Sequence, residues 1–394
     1  MRTFKSLTAA LLMAMAIALP ASASNDPPCG STLPNPQFPS ASLTMTGQHA
    51  CLNGDGYIIA ASNYTLDCAG NGLRGGNAPN QGPGRGIVIA NGVTNVVIEN
   101  CHMSYFQVGF LVDGANGNTL LNNRATHNTL GFALDNASSG NTVSGNKTAY
   151  NVDGFVCGNS SNNNSLVGNE SVGNTLSGFR VYSASGNTLA SNVSRQNNHD
   201  GFMADLASGT TFSGNTANSN GGSGFRVTDT SSNNTLAGNT TRHNQFEGFV
   251  IDSSSPNNSL SNNSAQYNLT GFRIDGSDFI TLTGNSALHN KVFGLEFLNS
   301  SHDTAIANVA NYTGGAFYLQ GGSQNTLTGN TAKHNGGAGF GVASSNTTLL
   351  GNVSDFNSYG YVDSGTGNQY QGECTGNTIA GSNPNLSWLC RPQQ

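Results

Sequence analysis

A short apolar phrase recurs along most of this chain: glycine, an aromatic residue, any residue, then an aliphatic one. We call its first apolar residue the anchor, and successive anchors are 21 to 24 residues apart. The twelve anchors are Phe110, Phe132, Phe155, Phe179, Phe202, Phe225, Phe249, Phe272, Leu295, Phe317, Phe340 and Tyr361. A repeat of this regularity predicts a solenoid, in which each repeat packs only on its neighbours.

The repeat unit has the pattern of β-strands, because apolar residues alternate with others over two to five residues and helical spacing is absent. The anchor and the residue two positions later, such as Phe179 and Val181, point to the same side of a strand. A second apolar column runs from Leu120 to Leu349, and a third, five residues beyond it, takes only small residues such as Ala217. Three short strands in about 23 residues predict an all-β fold, a right-handed single-stranded parallel β-helix.

Asparagine occupies one position in eleven repeats, from Asn123 to Asn352, and a second position five residues later in all but one of them. Because Asn tolerates left-handed backbone and bonds its own turn, we expect these residues at the corners of the coils. Their stacked amides would also form ladders along the axis. The repeat at 301–315 departs from this pattern, since Thr313 replaces a ladder Asn, and there we expect a bulge or a broken ladder.

The two ends of the chain differ from the repeats. Arg2 and Lys5 precede an apolar run and an Ala-Ser-Ala sequence at 21–23, which predicts a secretory signal peptide over residues 1–23. We expect a lead-in at 24–42, the β-helix at 43–363 with a loop at 75–84, and a C-terminal cap at 364–394. The mature protein is predicted to be secreted or periplasmic.

Composition narrows the class of partner. Without the two signal cations, 12 basic and 20 acidic residues remain, a net charge of −8. This charge argues against nucleic acid or an anionic membrane as partner, and no later stretch is apolar enough for membrane insertion. It permits a polysaccharide and leaves the oligomeric state open.

Seven cysteines fit export to an oxidising compartment. Cys374 and Cys390 are predicted to close the C-terminal cap, and Cys29 and Cys51 could do the same at the N-terminus. Two further cysteines share a coil position, so they would stack in adjacent coils, either bonded or as core thiols; these are Cys68 and Cys101. The seventh, an inward residue after an anchor, is expected to be a buried free thiol; it is Cys157.

Three segments, at 64–71, 86–89 and 95–101, carry a family resemblance: Tyr-Thr-Leu-Asp-Cys-Ala-Gly-Asn, Gly-Ile-Val-Ile and Asn-Val-Val-Ile-Glu-Asn-Cys. The chain resembles the NosD-type, carbohydrate-binding and sugar-hydrolysis β-helix proteins of the pectate-lyase-like superfamily. The resemblance implies polysaccharide lyases, hydrolases, uronan epimerases or a periplasmic accessory protein of copper-enzyme maturation. The Asp-Pro-His of the mannuronan epimerases, the polygalacturonase motifs and the Arg-x-Pro-x-x-Arg of pectate lyases are missing, so no single activity follows.

Charged residues are few, and some of them share a phase of the repeat. Carboxylates lie two residues before the anchor at Asp153, Asp200 and Glu247, and charges lie one residue after it at Arg180, Arg226, Arg273 and Glu296. Coils about 4.8 Å apart would place carboxylates on alternate coils roughly 10 Å from each other. This spacing favours a groove in which Asp200 and Glu247 act as general acid and base. His199 would assist proton transfer, the arginines would hold a uronate carboxylate, and Phe246 and Phe293 would stack on sugar faces.

The same residues have a purely structural interpretation. Like charges repel when they stack in neighbouring strands, so an exposed charge column is expected to alternate in sign or to skip coils. Such exposed ion pairs stabilise a protein by only about 0–1 kcal/mol each.

Two columns of the repeat bear on metal binding. An aspartate column three residues after the anchor fits ordinary turn chemistry, with a calcium site as the alternative. Four histidines share another column, but on alternate coils they would be about 10 Å apart, too far to ligate one ion. They are His127, His243, His289 and His334. We therefore predict no cofactor and no metal ligands.

The sequence leads to two functional hypotheses. The first is a secreted β-helix that binds, and as an enzyme processes, an extracellular or cell-wall polysaccharide by lyase, hydrolase or epimerase chemistry. The alternative is a non-catalytic structural or adhesive surface protein, or a NosD-like periplasmic accessory protein.

Overall fold

The computed structural model describes residues 26–52, 54–76, 84–375 and 377. These residues form a right-handed parallel β-helix of about 15 turns, as predicted, and they contain no helix. Accordingly, no helix among them is long and apolar enough to cross a membrane. The predicted signal peptide, most of the loop at 75–84 and Cys390 lie outside the described residues.

Each turn contributes one strand to the sheet that carries the anchors, which we call the anchor sheet. Its fifteen strands are Ser31–Leu33, Tyr57–Ile59, Arg85–Ile89, Val108–Asp113, Leu130–Asp135, Asp153–Cys157, Phe179–Tyr182, Phe202–Asp205, Phe225–Thr228, Phe249–Ile251, Phe272–Asp275, Phe293–Leu298, Gly315–Ser323, Ala338–Ser345 and Tyr359–Asp363. Every pairing is parallel, and anchor pairs with anchor, as Phe179 does with Phe202.

Two further ladders of short strands complete each turn. The ladder that carries the second apolar column comprises Ser42–Thr44, Thr65–Asp67, Val97–Glu99, Thr119–Leu121, Thr142–Ser144, Ser165–Val167, Thr188–Ala190, Thr211–Ser213, Thr235–Ala237, Ser259–Ser261, Thr281–Thr283, Thr304–Ile306 and Thr326–Thr328. The ladder that carries the small residues comprises His49–Ala50, Gly72–Arg74, His102–Ser104, Arg124–Thr126, Lys147–Ala149, Glu170–Val172, Val193–Arg195, Thr216–Asn218, Thr240–Arg242, Ser264–Gln266, Ser286–Leu288, Val309–Asn311 and Thr331–Lys333. The two ladders merge in the long strands Thr348–Asp355 and Gln369–Thr375.

The anchors form a continuous internal stack of aromatic rings. The rings of Phe179, Phe202 and Phe225 follow one another at centroid distances of 4.8 and 4.6 Å, tilted by less than 10°. All three side chains are fully buried. Successive repeats therefore lie directly on one another, and residues of equal phase are spatial neighbours.

The residue before the anchor is almost always glycine because it faces the column of small side chains across the interior. A Cβ added at Gly201 would lie 2.9 Å from the Cβ of Ala217. This close approach explains why the third inward column accepts only small residues.

The predicted asparagine ladders are present. The Oδ1 of Asn146 accepts the backbone N–H of Asn123 at 2.8 Å, and its Nδ2 donates to the carbonyl oxygen of Leu120 at 2.8 Å. A third ladder of the same kind, which the repeat analysis did not identify, includes Asn118, Asn141, Asn164 and Asn187.

Two expectations about the corners are corrected by the structure. The left-handed backbone falls on the residue before the ladder Asn, such as Asn122 and His127 with φ of 53° and 58°, and the ladder residues themselves are not left-handed. They are held instead by side-chain bonds to the next coil. At Thr313 a hydroxyl replaces the ladder amide, and both its Oγ1 and its backbone N–H donate to Asn335 Oδ1, whereas the register shift lies later, between Gln320 and Ser323.

The solenoid extends past both predicted boundaries. Ser31–Leu33 lies in the segment predicted as a lead-in but pairs with the second strand of the anchor sheet, and Gln369–Thr375 continues the stack into the predicted cap.

Disulfides join Cys29 to Cys51 and Cys68 to Cys101. Cys157 is fully buried, and its thiol is free.

Candidate functional site

The predicted site residues lie on the outer face of the anchor sheet, in three parallel rows. The carboxylate row, two residues before the anchor, contains Asp153, Ser177, Asp200, Ser223, Glu247 and Thr270. The arginine row, one residue after the anchor, contains Arg180, Met203, Arg226, Val250, Arg273 and Glu296. The rim, three residues before the anchor, contains Leu176, His199, Gly222, Phe246, Leu269 and Val292.

The carboxylate row alternates acids with hydroxyl residues, and hydrogen bonds link one coil to the next. Asp153 Oδ1 accepts the backbone N–H of Ser177 at 3.0 Å, and Asp200 Oδ1 accepts that of Ser223 at 2.7 Å. Ser223 Oγ donates to Glu247 Oε2 at 2.9 Å. A single serine therefore connects the two carboxylates predicted as acid and base.

Burial distinguishes the carboxylates of this row. Burial raises the pKa of Asp153 and of Asp200, against the opposing effect of their backbone hydrogen bonds. The side chain of Asp200 is only 2% exposed, whereas that of Glu247 is 14% exposed. Asp200 therefore has almost no surface with which to touch a substrate directly.

His199 is the exposed partner of Asp200. Its Nδ1 lies 3.2 Å from Asp200 Oδ2, and 55% of its side chain is exposed. The next rim residue is Gly222, where a side chain would collide with Asp200, and the one after that is Phe246, which is 46% exposed. Because two coils span about 10 Å, His199 and Phe246 stand roughly that far apart, on either side of Gly222.

The three arginines are already paired with carboxylates of this chain. Arg180 reaches Asp205 at 2.6 Å, and Arg226 reaches Asp252 at 2.7 Å. Each pair joins the arginine row to the strand end of the next coil. The sequence predicted that these guanidinium groups bind a uronate carboxylate. In the structure, their closest carboxylates are aspartates of the same chain.

Arg273 stands at the centre of a larger charge cluster. It lies 2.8 Å from Asp275, 3.7 Å from Glu247 and 3.9 Å from Glu296. Burial raises the pKa of Glu296, against the attraction of Arg273. Arg273 thus neutralises the end of the face where three carboxylates meet.

Phe293 was predicted to stack on the face of a sugar. In the structure its ring is stacked on that of Tyr318, with the centroids 4.7 Å apart and an interplanar angle of 4°. Tyr318 occupies the arginine row one coil further along. Tyr318, Ser223 and Gly222 were not among the predicted site residues, although each shares its repeat phase with one of them.

The histidine column lies at the corners of the coils, away from this face, and alternates with tyrosine. The ring of Tyr267 is stacked 5.0 Å from that of His243 and 5.1 Å from that of His289. Within the described residues, no group of three or more His, Cys, Asp or Glu side chains is placed to hold a metal ion. The aspartate column binds neighbouring Arg and Asn side chains, as at Asp113, whose Oδ1 accepts from Asn136.

A family model described as "Periplasmic copper-binding protein (NosD)" matches residues 68–247 and 242–386. The chain belongs to the NosD family. No curated protein matches the sequence significantly.

Solved structures similar to this NosD-family chain are parallel β-helices with low sequence identity. The periplasmic alginate epimerase AlgG is 13% identical, covering 73% of this chain and 78% of its own, with a TM-score of 0.55. The A-module of mannuronan C-5 epimerase AlgE4 from Azotobacter vinelandii is 14% identical, covering 81% and 88%, with a TM-score of 0.51. The catalytic unit of a GH87 α-1,3-glucanase from Streptomyces thermodiastaticus is 14% identical, covering 78% and 63%, with a TM-score of 0.56. At these identities the likeness establishes the fold alone.

The copper in the family description can be tested against the described side chains. Copper sites need several imidazole, thiolate or thioether groups that converge. The stacked histidines are separated by intervening rings, and Cys157 and Met103 are buried in the core. The described residues therefore do not fit a copper site, and we derive no chemistry from that metal.

Proposed function

We propose that this protein binds an extracytoplasmic polysaccharide along the outer face of the anchor sheet and acts on it at His199. The observation that carries the proposal is the exposed His199, which contacts the buried Asp200, while Ser223 links Asp200 to the partly exposed Glu247. Elongated faces of this kind suit a linear polymer, because they offer similar contacts on successive coils. The β-helical epimerases and glucanase support a polysaccharide as the ligand class, and the periplasmic family description supports the location.

In this mechanism His199 transfers the proton and Asp200 positions it. An imidazole accepts or donates a proton at neutral pH, and a carboxylate on one ring nitrogen fixes the orientation of the other. Glu247, which is partly exposed, is the second acid–base group on the far side of Ser223. Lyase, hydrolase and epimerase reactions on a uronan or another glycan all need such a proton transfer at the sugar ring.

The experiment is a glycan array followed by assays for new reducing ends, unsaturated products and altered sugar configuration. His199→Gln and Glu247→Gln should each lower turnover by about 100-fold or more, since general acid–base groups contribute that much. Asp200→Asn should lower turnover without abolishing binding. The matched control is His302→Gln, an exposed histidine off this face. Turnover that survives the His199 and Glu247 substitutions would show that the site is wrongly placed.

A non-catalytic role, as a surface or accessory protein, is the second candidate. It is favoured by the near-complete burial of Asp200 and by the internal pairing of the arginines. It predicts glycan binding without products, and binding that His199→Gln leaves unchanged. The same array and product assays therefore separate the two functions.

A further inference from the structure

Beyond the last carboxylate of the face, the outer surface of the anchor sheet opens into an apolar depression of about 340 Å³. Phe293 and Tyr318 form one wall, and Gly314, Gly315 and Gly337 lie where other coils carry side chains. The volume is within the range of small-molecule sites, roughly 300–1,000 Å³. It lies four coils from His199, about 19 Å along the axis.

Glycines create the room for the two rings. A Cβ at Gly315 would lie 3.0 Å from Phe293 Cδ1, and a Cβ at Gly341 would lie 3.2 Å from Tyr318 Cδ2. With no side chain at either position, the rings lie nearly parallel, 4.7 Å apart. Tyr318 Oη donates to Gln320 Oε1 at 3.1 Å, which fixes the edge of its ring.

Lys291 supplies the charge at this depression. Lys291 is one of the lining residues and is exposed, and no carboxylate lies within ion-pair distance of its Nζ in the part of the chain that the structure describes. By contrast, the arginines of the same face are all tied to internal carboxylates. An ammonium group is a compact point charge that suits a carboxylate of a ligand.

We infer that Phe293, Tyr318 and Lys291 form a sugar-binding subsite that selects an acidic, uronic acid unit of the polymer. The apolar face of the sugar ring packs against the aromatic wall, and the uronate carboxylate pairs with Lys291. Because Gly314, Gly315 and Gly337 have no side chains, the sugar ring can enter the depression. The inference rests on the proposed function and adds to it the class of sugar and its contact residues.

The test measures binding of the full-length mature protein to oligouronides of six to eight units and to neutral hexose oligomers of equal length. Phe293→Ala and Tyr318→Ala should each weaken oligouronide binding by roughly tenfold, as truncation of an aromatic contact residue does. Lys291→Gln should weaken oligouronide binding several-fold and leave binding of the neutral oligomers unchanged. Lys147→Gln and Phe279→Ala, exposed residues on other faces, are the matched controls.

The outcomes separate this inference from the proposed function. If the protein binds oligouronides and all three variants bind them like wild type, the subsite is refuted while the proposed function stands. If neutral oligomers bind better than acidic ones and Lys291→Gln changes nothing, the uronate selectivity is refuted. If no glycan binds at all, both proposals fail. Lys291 is exposed, so its substitution tests the subsite even if truncation of a ring impairs folding.

Discussion

Asp303 offers a sharp test of how the ladders stabilise the β-helix. It stands where neighbouring coils carry a ladder Asn, such as Asn325, and it is 1% exposed. Its Oδ1 accepts the backbone N–H of Ile280 at 2.8 Å, and its Oδ2 accepts the hydroxyl of Ser300. Burial raises the pKa of Asp303 from 3.8 to about 7, against these hydrogen bonds.

This pKa makes stability depend on pH in a defined direction. Between pH 3.8 and about 7 the folded protein holds a proton at Asp303 that the unfolded chain has released, so stability falls as pH rises through that window. At 1.36 kcal/mol per pH unit, the accumulated loss approaches about 4 kcal/mol above pH 8. Asp303→Asn removes the titration, and its amide would donate to the carbonyl oxygen of Ser277 as Asn325 does to Ser300 at 2.9 Å.

We therefore expect Asp303→Asn to match wild type near pH 4 and to be increasingly more stable towards pH 8. The assay is urea unfolding from pH 4 to 8.5, with hydrogen exchange of peptides covering 277–306 as the local readout, because a long solenoid need not unfold in one step. The matched control, Asn325→Asp, adds a second carboxyl at a buried ladder position, so its stability relative to wild type should fall as pH rises. Wild-type and Asp303→Asn curves separated by a constant offset at every pH would refute the reasoning.

Three further changes test the stack itself, with the exposed Ser219→Ala as control. Phe225→Ala should lower the free energy of unfolding by about 3–5 kcal/mol, because its ring fills the core between rings at 4.6 and 5.0 Å; urea titration measures this. Asn215→Leu should cost about 1–3 kcal/mol for each buried group left unpaired, seen as faster hydrogen exchange in the adjacent coils; exchange like that of the control would mean the ladder adds nothing. The double variant Cys68→Ser/Cys101→Ser should have a lower thermal midpoint, because the disulfide closes a loop with a sequence separation of 33 residues. An unchanged midpoint would mean that this disulfide does not stabilise the fold.

Repeat phase predicted the backbone and most of the core. Phe179, Phe202 and Phe225 were expected in one internal row, and they are stacked there. Asn146 and its equivalents were expected to form a ladder, and they do. Phase is sufficient for these residues because each side chain is short or ring-shaped and meets its own equivalent in the next coil.

Phase was less informative for the outer face. It placed both His199 and Asp200 on this face, but it gave no sign that the side chain of His199 is 55% exposed and that of Asp200 only 2%. It gave no sign that Arg180 would cross to Asp205 of the next coil, because a long side chain can choose among several partners. The pairing of Phe293 with Tyr318, which occupy different phases, also depends on glycines in the following coil.

The amino-acid sequence by itself determined the β-helix, its 23-residue coil and the interior rows, because period and inward apolar spacing leave one way to stack identical units. Only the tertiary structure decided which polar groups are buried, which charges neutralise one another and where the outer face opens. Those outcomes depend on side-chain direction and on neighbours from other coils, and neither is encoded in the position of a residue within its own repeat.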